Sequence, residues 1–175
     1  SYHFNIAGYE LAKLVGLDYM VPVTVEREWK GKTGALAWWL PFKWHEFDRL
    51  KLRLQPPDTE AWSRQTHRMR VFVQLICDPD RNFHNALITE DWTLFMIDFT
   101  RAFRVHHELE KPDNLVRCDR QLLEKLRLLN QADVERAAGP HLRKHEIEAL
   151  MARREKIVAL FDRLIAEKGE SEVLY

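Results

Sequence analysis

Phosphoryl transfer asks little of a protein beyond a carboxylate to orient the attacking hydroxyl and oxygen ligands to hold Mg2+ against the phosphates. Asp80-Arg81-Asn82-Phe83-His84-Asn85 offers a carboxylate and, at i+5, an amide oxygen, and Asp98-Phe99 offers a second carboxylate. Spacing alone is a weak signal, because Asp and Asn are frequent residues. Taken singly, the same residues also suit a plainer reading, with Asp80 in a turn, Asn85 capping a strand start and Asp98 capping a helix. The surrounding elements have to separate the two.

Ala86-Leu87-Ile88 and Leu94-Phe95-Met96-Ile97, separated by Glu90-Asp91, predict a small hairpin with Asn85 and Asp98 at one mouth. Upstream, Trp62, Met69, Phe72, Leu75 and Ile76 recur at helical spacing, and the break at Pro56-Pro57-Asp58 makes Thr59 a cap. A long buried helix should therefore run to about Cys77, and Asp78-Pro79-Asp80 turns the chain after it. At the start, residues 4–15 place Ala7, Leu11, Leu14 and Val15 on one helical face before Gly16. Residues 20–29 and 33–40 read as strands joined at Lys30-Gly31-Lys32 and ending at Trp38-Trp39-Leu40-Pro41. Residues 42–54 are charged and aromatic.

Beyond the small hairpin, Leu115, Cys118, Leu122, Leu126 and Leu129 form one helical stripe. Ile147, Leu150, Met151, Val158, Phe161 and Ile165 form another, with Gly139-Pro140 between them. The runs Arg143-Lys144-His145-Glu146 and Arg153-Arg154-Glu155-Lys156 read as solvated helix faces with i to i+4 pairing. The fold class is α+β, mainly helical.

At 175 residues and 46% hydrophobic content, the chain can bury one good core. Lys+Arg and Asp+Glu both number 27, so no net field draws it to nucleic acid or an anionic membrane. Trp38, Trp39, Trp44 and Trp62 invite a base-stacking reading, but acidic residues intermix with the basic ones where a stacking groove would need unbroken positive charge. His45-Glu46-Phe47-Asp48-Arg49 lacks the second His of a zinc-protease helix and reads as a solvated helical turn. His106-His107-Glu108 reads as a surface turn, since neighbouring residues point apart. His84, inside the candidate loop, suits a structural or a substrate-contacting role. Cys77 and Cys118 read as buried thiols, which suits reducing surroundings and a cytoplasmic location. No apolar run approaches the roughly 20 residues of a membrane span.

These residues also carry a resemblance. Asp80-Arg81-Asn82-x-x-Asn85, followed by a short hairpin and Ile97-Asp98-Phe99, resembles the catalytic loop shared by phosphatidylinositol kinases, HipA-type kinases and their bacterial relatives. Residues 7–24, ending in Leu-Val-Gly-Leu and then Val21-Pro22, are similar to the αC-helix segment of those atypical kinases. Thr33-Gly34-Ala35-Leu36 leading to Trp38-Trp39-Leu40 resembles their strand running into the adenine-contacting hinge. Met96-Ile97-Asp98-Phe99-Thr100-Arg101-Ala102-Phe103-Arg104 is most similar to a group of uncharacterised bacterial kinase-like proteins.

The resemblance implies a kinase-like C-lobe (residues 42–175) preceded by a remnant of the N-lobe (residues 1–41), with an αC-like helix and hinge hairpin. Asp80 would be the base and Asn85 and Asp98 the Mg2+ ligands, with Trp39 and Leu40 beside the adenine of ATP. Arg81 and Arg101 would position Asp80 or meet a phosphate. Three features depart from the pattern. Neither a glycine-rich phosphate loop nor the phosphate-pairing strand lysine is present, and both would precede Ser1, as though the chain were cut from a longer one. The αC glutamate position falls at Asn5 or Ile6, with Glu10 the nearest acid. Thr100 replaces the glycine after Asp-Phe. The expected function is transfer of the ATP γ-phosphate to a hydroxyl acceptor. The alternatives are a pseudokinase or interaction module of the same fold, and a metal-dependent phosphohydrolase.

Overall fold

The chain opens on helix α1 (Tyr2–Val15), which turns Ile6, Ala7, Leu11, Ala12 and Val15 into the interior. Gly16 ends it in the left-handed region, φ 74°, where a Cβ is penalised. A computed structural model describes all residues, Ser1–Tyr175. After a 3-10 turn at Asp18–Met20 come strands β1 (Thr24–Trp29) and β2 (Lys32–Ala37), antiparallel with Trp29 opposite Lys32. Lys30 and Gly31 both take positive φ, the geometry of a tight two-residue hairpin turn. The strands are shorter than the alternation of side chains suggested. Met20 and Val21 are used as core in the turn before β1, and β2 stops before Trp38 and Trp39, both largely exposed.

Residues 42–54 form a two-residue strand β3 (Trp44–His45) and helix α2 (Glu46–Lys51). The His45–Arg49 segment is not the solvated turn expected of it: Arg49 donates Nε and NH2 to Glu46 at 2.6 Å each, and both side chains are mostly covered. Helix α3 (Thr59–Ile76) follows the Pro56-Pro57 break, and its cap is Asp58 rather than Thr59, the Asp58 carboxylate accepting from the Ala61 N–H at 2.9 Å. Strands β4 (Ala86–Ile88) and β5 (Leu94–Met96) form the small hairpin, and β3 adds to its edge, Trp44 opposite Ile88. Gln65 of α3 locks this sheet in place, accepting from Leu94 N at 2.8 Å and donating to Trp92 O at 2.9 Å. Trp92 also packs against Trp44 and Trp62, with centroids 5.3 and 5.8 Å apart, so two of the four tryptophans first considered for stacking are packing residues.

The remaining helices are α4 (Arg120–Leu128), α5 (Gln131–Ala138), α6 (Lys144–Lys168) and the short α7 (Glu170–Val173). The stripe from Leu115 to Leu129 is only partly helical. Leu115 and Cys118 are buried ahead of α4, Cys118 pairing through its backbone with Leu174, while Asp119 caps the helix. On α6 the solvated-face reading fails at two positions. Glu146 is buried and accepts from the Arg143 N–H at 2.7 Å. Arg153 is fully buried and donates to backbone carbonyls of Leu75, Arg104 and His106. Helices make up about half of the chain, and one apolar cluster runs from Ala7 on α1 to Val173 on α7. Cys77 and Cys118 are buried and unpaired, and burial pushes their thiols up to about 11 and about 12, which keeps them protonated and unreactive near neutrality. No helix is long and apolar enough to cross a membrane.

Candidate active site

Helix α3 ends at Cys77 in the left-handed region, with Cys77 N bonded to Gln74 O and Asp78 N to Val73 O. That ending throws the segment 78–85 across the end of the β4–β5 hairpin. Asp78, buried, accepts from the Asp80 N–H at 3.2 Å and pairs with Arg81. Asn82 closes the loop: its side-chain oxygen accepts from His84 N at 2.8 Å and from Asn85 N at 3.2 Å. His84 stacks on Phe47 of α2 with centroids 4.6 Å apart, which supports its structural reading.

The strand register brings Asn85 and Asp98 together. Ala86 lies opposite Met96, and Ile97 N donates to Asn85 O at 3.0 Å, so the ladder extends one residue and both side chains emerge at the same end of the sheet. Asn85 Nδ2 donates to Asp80 O at 3.1 Å, which turns its Oδ1 free and fixes the distance between the two halves of the loop. Asp98 takes φ 56°, a left-handed conformation that Asp tolerates better than most residues. Its Oδ1 accepts from Thr100 Oγ1 at 2.6 Å and from Thr100 N at 3.2 Å, leaving Oδ2 without a protein partner. Thr100, where the resemblance leads one to expect glycine, thus holds the Asp98 carboxylate. Arg101 Nε lies 3.5 Å from Asp80 Oδ2, an exposed pair that joins the Asp98 turn to the loop.

Arg81 has a different place from the one suggested by the phosphate reading. Its NH1 donates to Asn85 O at 2.6 Å and to Ile97 O at 2.5 Å, its NH2 pairs with Asp78, and the guanidinium lies 4.8 Å from the Phe99 ring centroid. The side chain is 7% exposed. Burial lowers its pKa, while Asp78, Asp98 and Asp80 favour the charged form, and an arginine so placed stays cationic at neutral pH. Arg81 therefore braces the loop against the exit of β5 with its donors turned inward.

Phe99 ties the site to α1. Its N–H donates to Asn5 Oδ1 at 2.7 Å, so Asn5, one of the two positions where the resemblance leads one to expect an αC glutamate, grips the Asp98 turn by its backbone. Glu10 is paired with Lys13 on the same helix and takes no part. The Phe99 ring lies against Gly8, where an added Cβ would approach Phe99 Cδ2 to 2.6 Å, and edge-on to Phe72 of α3, centroids 6.0 Å apart. Gly8→Ala is accordingly expected to destabilise. The gain in helix propensity is about 0.8–1 kcal/mol, and overpacking against a buried ring costs about 1–3 kcal/mol. A urea midpoint above that of the wild type would show that the ring is not locked there.

A cleft of about 110 Å3 separates the β1–β2 hairpin from this turn, lined by Asn5, Val21, Thr24, Ala35, Ala37 and Asp98 among others. Trp39 and Leu40 are not in its wall. Trp39 is 80% exposed on the strap after β2, its ring edge-on to Phe42 at 6.3 Å. What sequence reasoning missed is how these residues are used: Asn5 and Thr100 stood out only as departures from the kinase pattern and Asp78 only as a turn residue, whereas Asn5 holds the Phe99 N–H, Thr100 the Asp98 carboxylate and Asp78 the Arg81 guanidinium. Ala35 and Ala37, which line the cleft, had the signal of two alanines at i, i+2 on one face of a strand leading to the strap.

No protein-family model matches the chain, and no curated protein matches it. Among solved structures, that of hydra Fam20 with sugar is similar with a TM-score of 0.73, at 16% sequence identity, covering 99% of this chain and 74% of that one. The likeness shows a kinase-like fold, as the loop motifs led one to expect.

Proposed function

We propose that this chain is a kinase-like phosphotransferase domain that moves the γ-phosphate of ATP to a hydroxyl acceptor with Mg2+. The observation that carries the reading is the convergence of Asn85 and Asp98 at one end of β4–β5, with Asp80 bonded to Asn85 through its carbonyl. The donor set fits the metal: a carboxylate and an amide oxygen, each with an oxygen free of protein partners, are the hard ligands Mg2+ takes. Bound there, Mg2+ would neutralise charge on the phosphates. Asp80, half-exposed, is the group to accept the acceptor's proton, and Arg101 holds its carboxylate by charge.

The finer kinship, to phosphatidylinositol and HipA-type kinases and the bacterial group, rests on the motifs around Asp80 and Asp98. So does the division into an N-lobe remnant and a helical C-lobe. Trp39 and Leu40 would reach adenine from the strap. The Fam20 structure holds sugar, which makes a sugar hydroxyl one acceptor class to try beside protein and lipid hydroxyls. Two buried, unpaired cysteines favour a reducing compartment such as the cytoplasm.

A second reading is favoured by Asn5. An amide in place of a glutamate cannot form the ion pair with a phosphate-gripping lysine, and a pseudokinase would keep nucleotide binding without turnover. Binding of a fluorescent ATP analogue to the intact protein tests the main proposal. With Mg2+ the wild type should bind about tenfold or more tightly than without it, and Asp98→Ala should remove that difference. Equal binding with and without Mg2+, unchanged by Asp98→Ala, would overturn the metal assignment.

A further inference from the structure

Three ligand-bearing side chains meet away from the candidate active site. His3 in the first turn of α1, Glu26 on β1 and His141 in the turn between α5 and α6 bring one ligand atom each to within 4.8 Å of one another. His3 Nδ1 and His141 Nδ1 are 3.1 Å apart, and His3 Nδ1 is 3.9 Å from Glu26 Oε2. The His3 ring is stacked on Tyr2 with centroids 4.1 Å apart. Both imidazoles are half-buried, while Glu26 is exposed and free to swing.

Two imidazoles facing each other through the same nitrogen can share a single proton, and that arrangement leaves the carboxylate without a role. A cation uses all three groups. With Zn–N distances of about 2.0–2.1 Å, a separation of 3.1 Å between two nitrogens corresponds to an angle of roughly 100° at the ion, near a tetrahedral edge. Bringing Glu26 to the same ion takes only rotation of an exposed side chain. Two imidazoles and one carboxylate suit Zn2+ and its first-row neighbours, whereas Mg2+ and Ca2+ prefer all-oxygen sets.

We infer that His3, Glu26 and His141 form a binding site for a divalent transition metal of the Zn2+ class. The three residues come from three elements, so the ion cross-links α1, β1 and the α5–α6 turn. The consequence reaches the site already described. Asn5, two residues after His3 on α1, holds the Phe99 N–H, and Phe4 packs on Phe103, centroids 5.6 Å apart. Filling the site fixes the helix that positions the Asp98 turn. The inference stands apart from the phosphotransfer reading and does not require turnover.

Titration of the intact protein with Zn2+ against a chromogenic chelator tests it, with Co2+ as a spectroscopic substitute. One equivalent of Zn2+ should bind, and Co2+ should give the intense visible bands of four-coordinate geometry. His3→Gln and His141→Gln should each weaken Zn2+ binding by at least about tenfold and remove the bands, since even outer-shell changes cost 10–100-fold. Zn2+ should raise the thermal midpoint of the wild type and not of His3→Gln. The exposed pair His106 and His107 serves as control, and its double replacement by Gln should leave binding intact. Three results overturn the assignment: no Zn2+ or Co2+ uptake by the wild type at micromolar metal, uptake unchanged in both His3→Gln and His141→Gln, or uptake lost only in the His106/His107 variant. Absence of four-coordinate bands from the wild-type Co2+ spectrum also overturns the assignment, even where a variant folds poorly.

Discussion

Arg153→Ala should lower the free energy of unfolding by about 3 kcal/mol or more, because it leaves three backbone carbonyls without their donor at about 1–3 kcal/mol each. The side chain is fully buried in the middle of α6, donating Nε to Leu75 O at 2.9 Å and NH1 to Arg104 O at 2.9 Å and His106 O at 2.5 Å. The last turn of a helix leaves its carbonyls without intrahelical donors. At the end of α3, Arg153 takes that of Leu75 and Phe103 N takes that of Ile76 at 2.6 Å. A cation is favoured at that terminus by the helix dipole. Burial lowers the Arg153 pKa from its ordinary value, yet guanidinium remains charged near neutrality. Truncation strands the carbonyls at about 1–3 kcal/mol each and opens a void. Arg153→Met restores much of the volume without the donors, so it should recover only a minor part of the loss. Urea midpoints for both variants are the measurement; an Arg153→Ala midpoint equal to wild type would remove the network from the account of stability. Against a total of roughly 5–15 kcal/mol for a domain, the expected loss is large.

Asp80→Asn is the second. On the phosphotransfer reading, turnover should fall by about 10²–10⁴-fold, the usual worth of a positioned general base. Nucleotide affinity should stay within about threefold, because Asp80 is assigned to the acceptor and the phosphate-bound Mg2+ to Asn85 and Asp98. The substitution keeps the backbone carbonyl that Asn85 and Asn82 bond, so the loop keeps its shape. Single-turnover transfer from labelled ATP separates the two quantities. A variant that turns over at half the wild-type rate would take Asp80 out of the base role, and a wild type that binds nucleotide without turnover would favour the pseudokinase reading.

Much of the path that positions the candidate site was legible from short windows of sequence. The break at Pro56-Pro57, the apolar spacing from Trp62 to Ile76 and the paired apolar triplets around Glu90-Asp91 each state a local preference that packing did not override. The turn at Lys30-Gly31 and the stop at Gly16 are of the same kind, since each depends on φ values available to the residue itself. Strand β3 was not legible. Two residues carry no periodicity, and Trp44-His45 is a strand only because the edge of β4 is there to pair with it. The Leu115-to-Leu129 stripe misled because Cys118 follows helical spacing while its backbone is taken by the C-terminal segment.

What the chain alone specifies, then, is most of its elements and the carboxylate and amide groups at Asp80, Asn85 and Asp98 that the proposed site would use. The third dimension assigns the partners. Asn5 meets Phe99 across 94 residues, Arg153 meets Leu75 across 78 and His3 meets His141 across 138. Side-chain periodicity reports which face of an element is buried, and it carries no information about what is buried against it. An arginine within a charged run is therefore read as solvated until a distant helix end is seen to need its donors, and an asparagine where the resemblance leads one to expect a glutamate looks like a loss until the amide it holds comes into view.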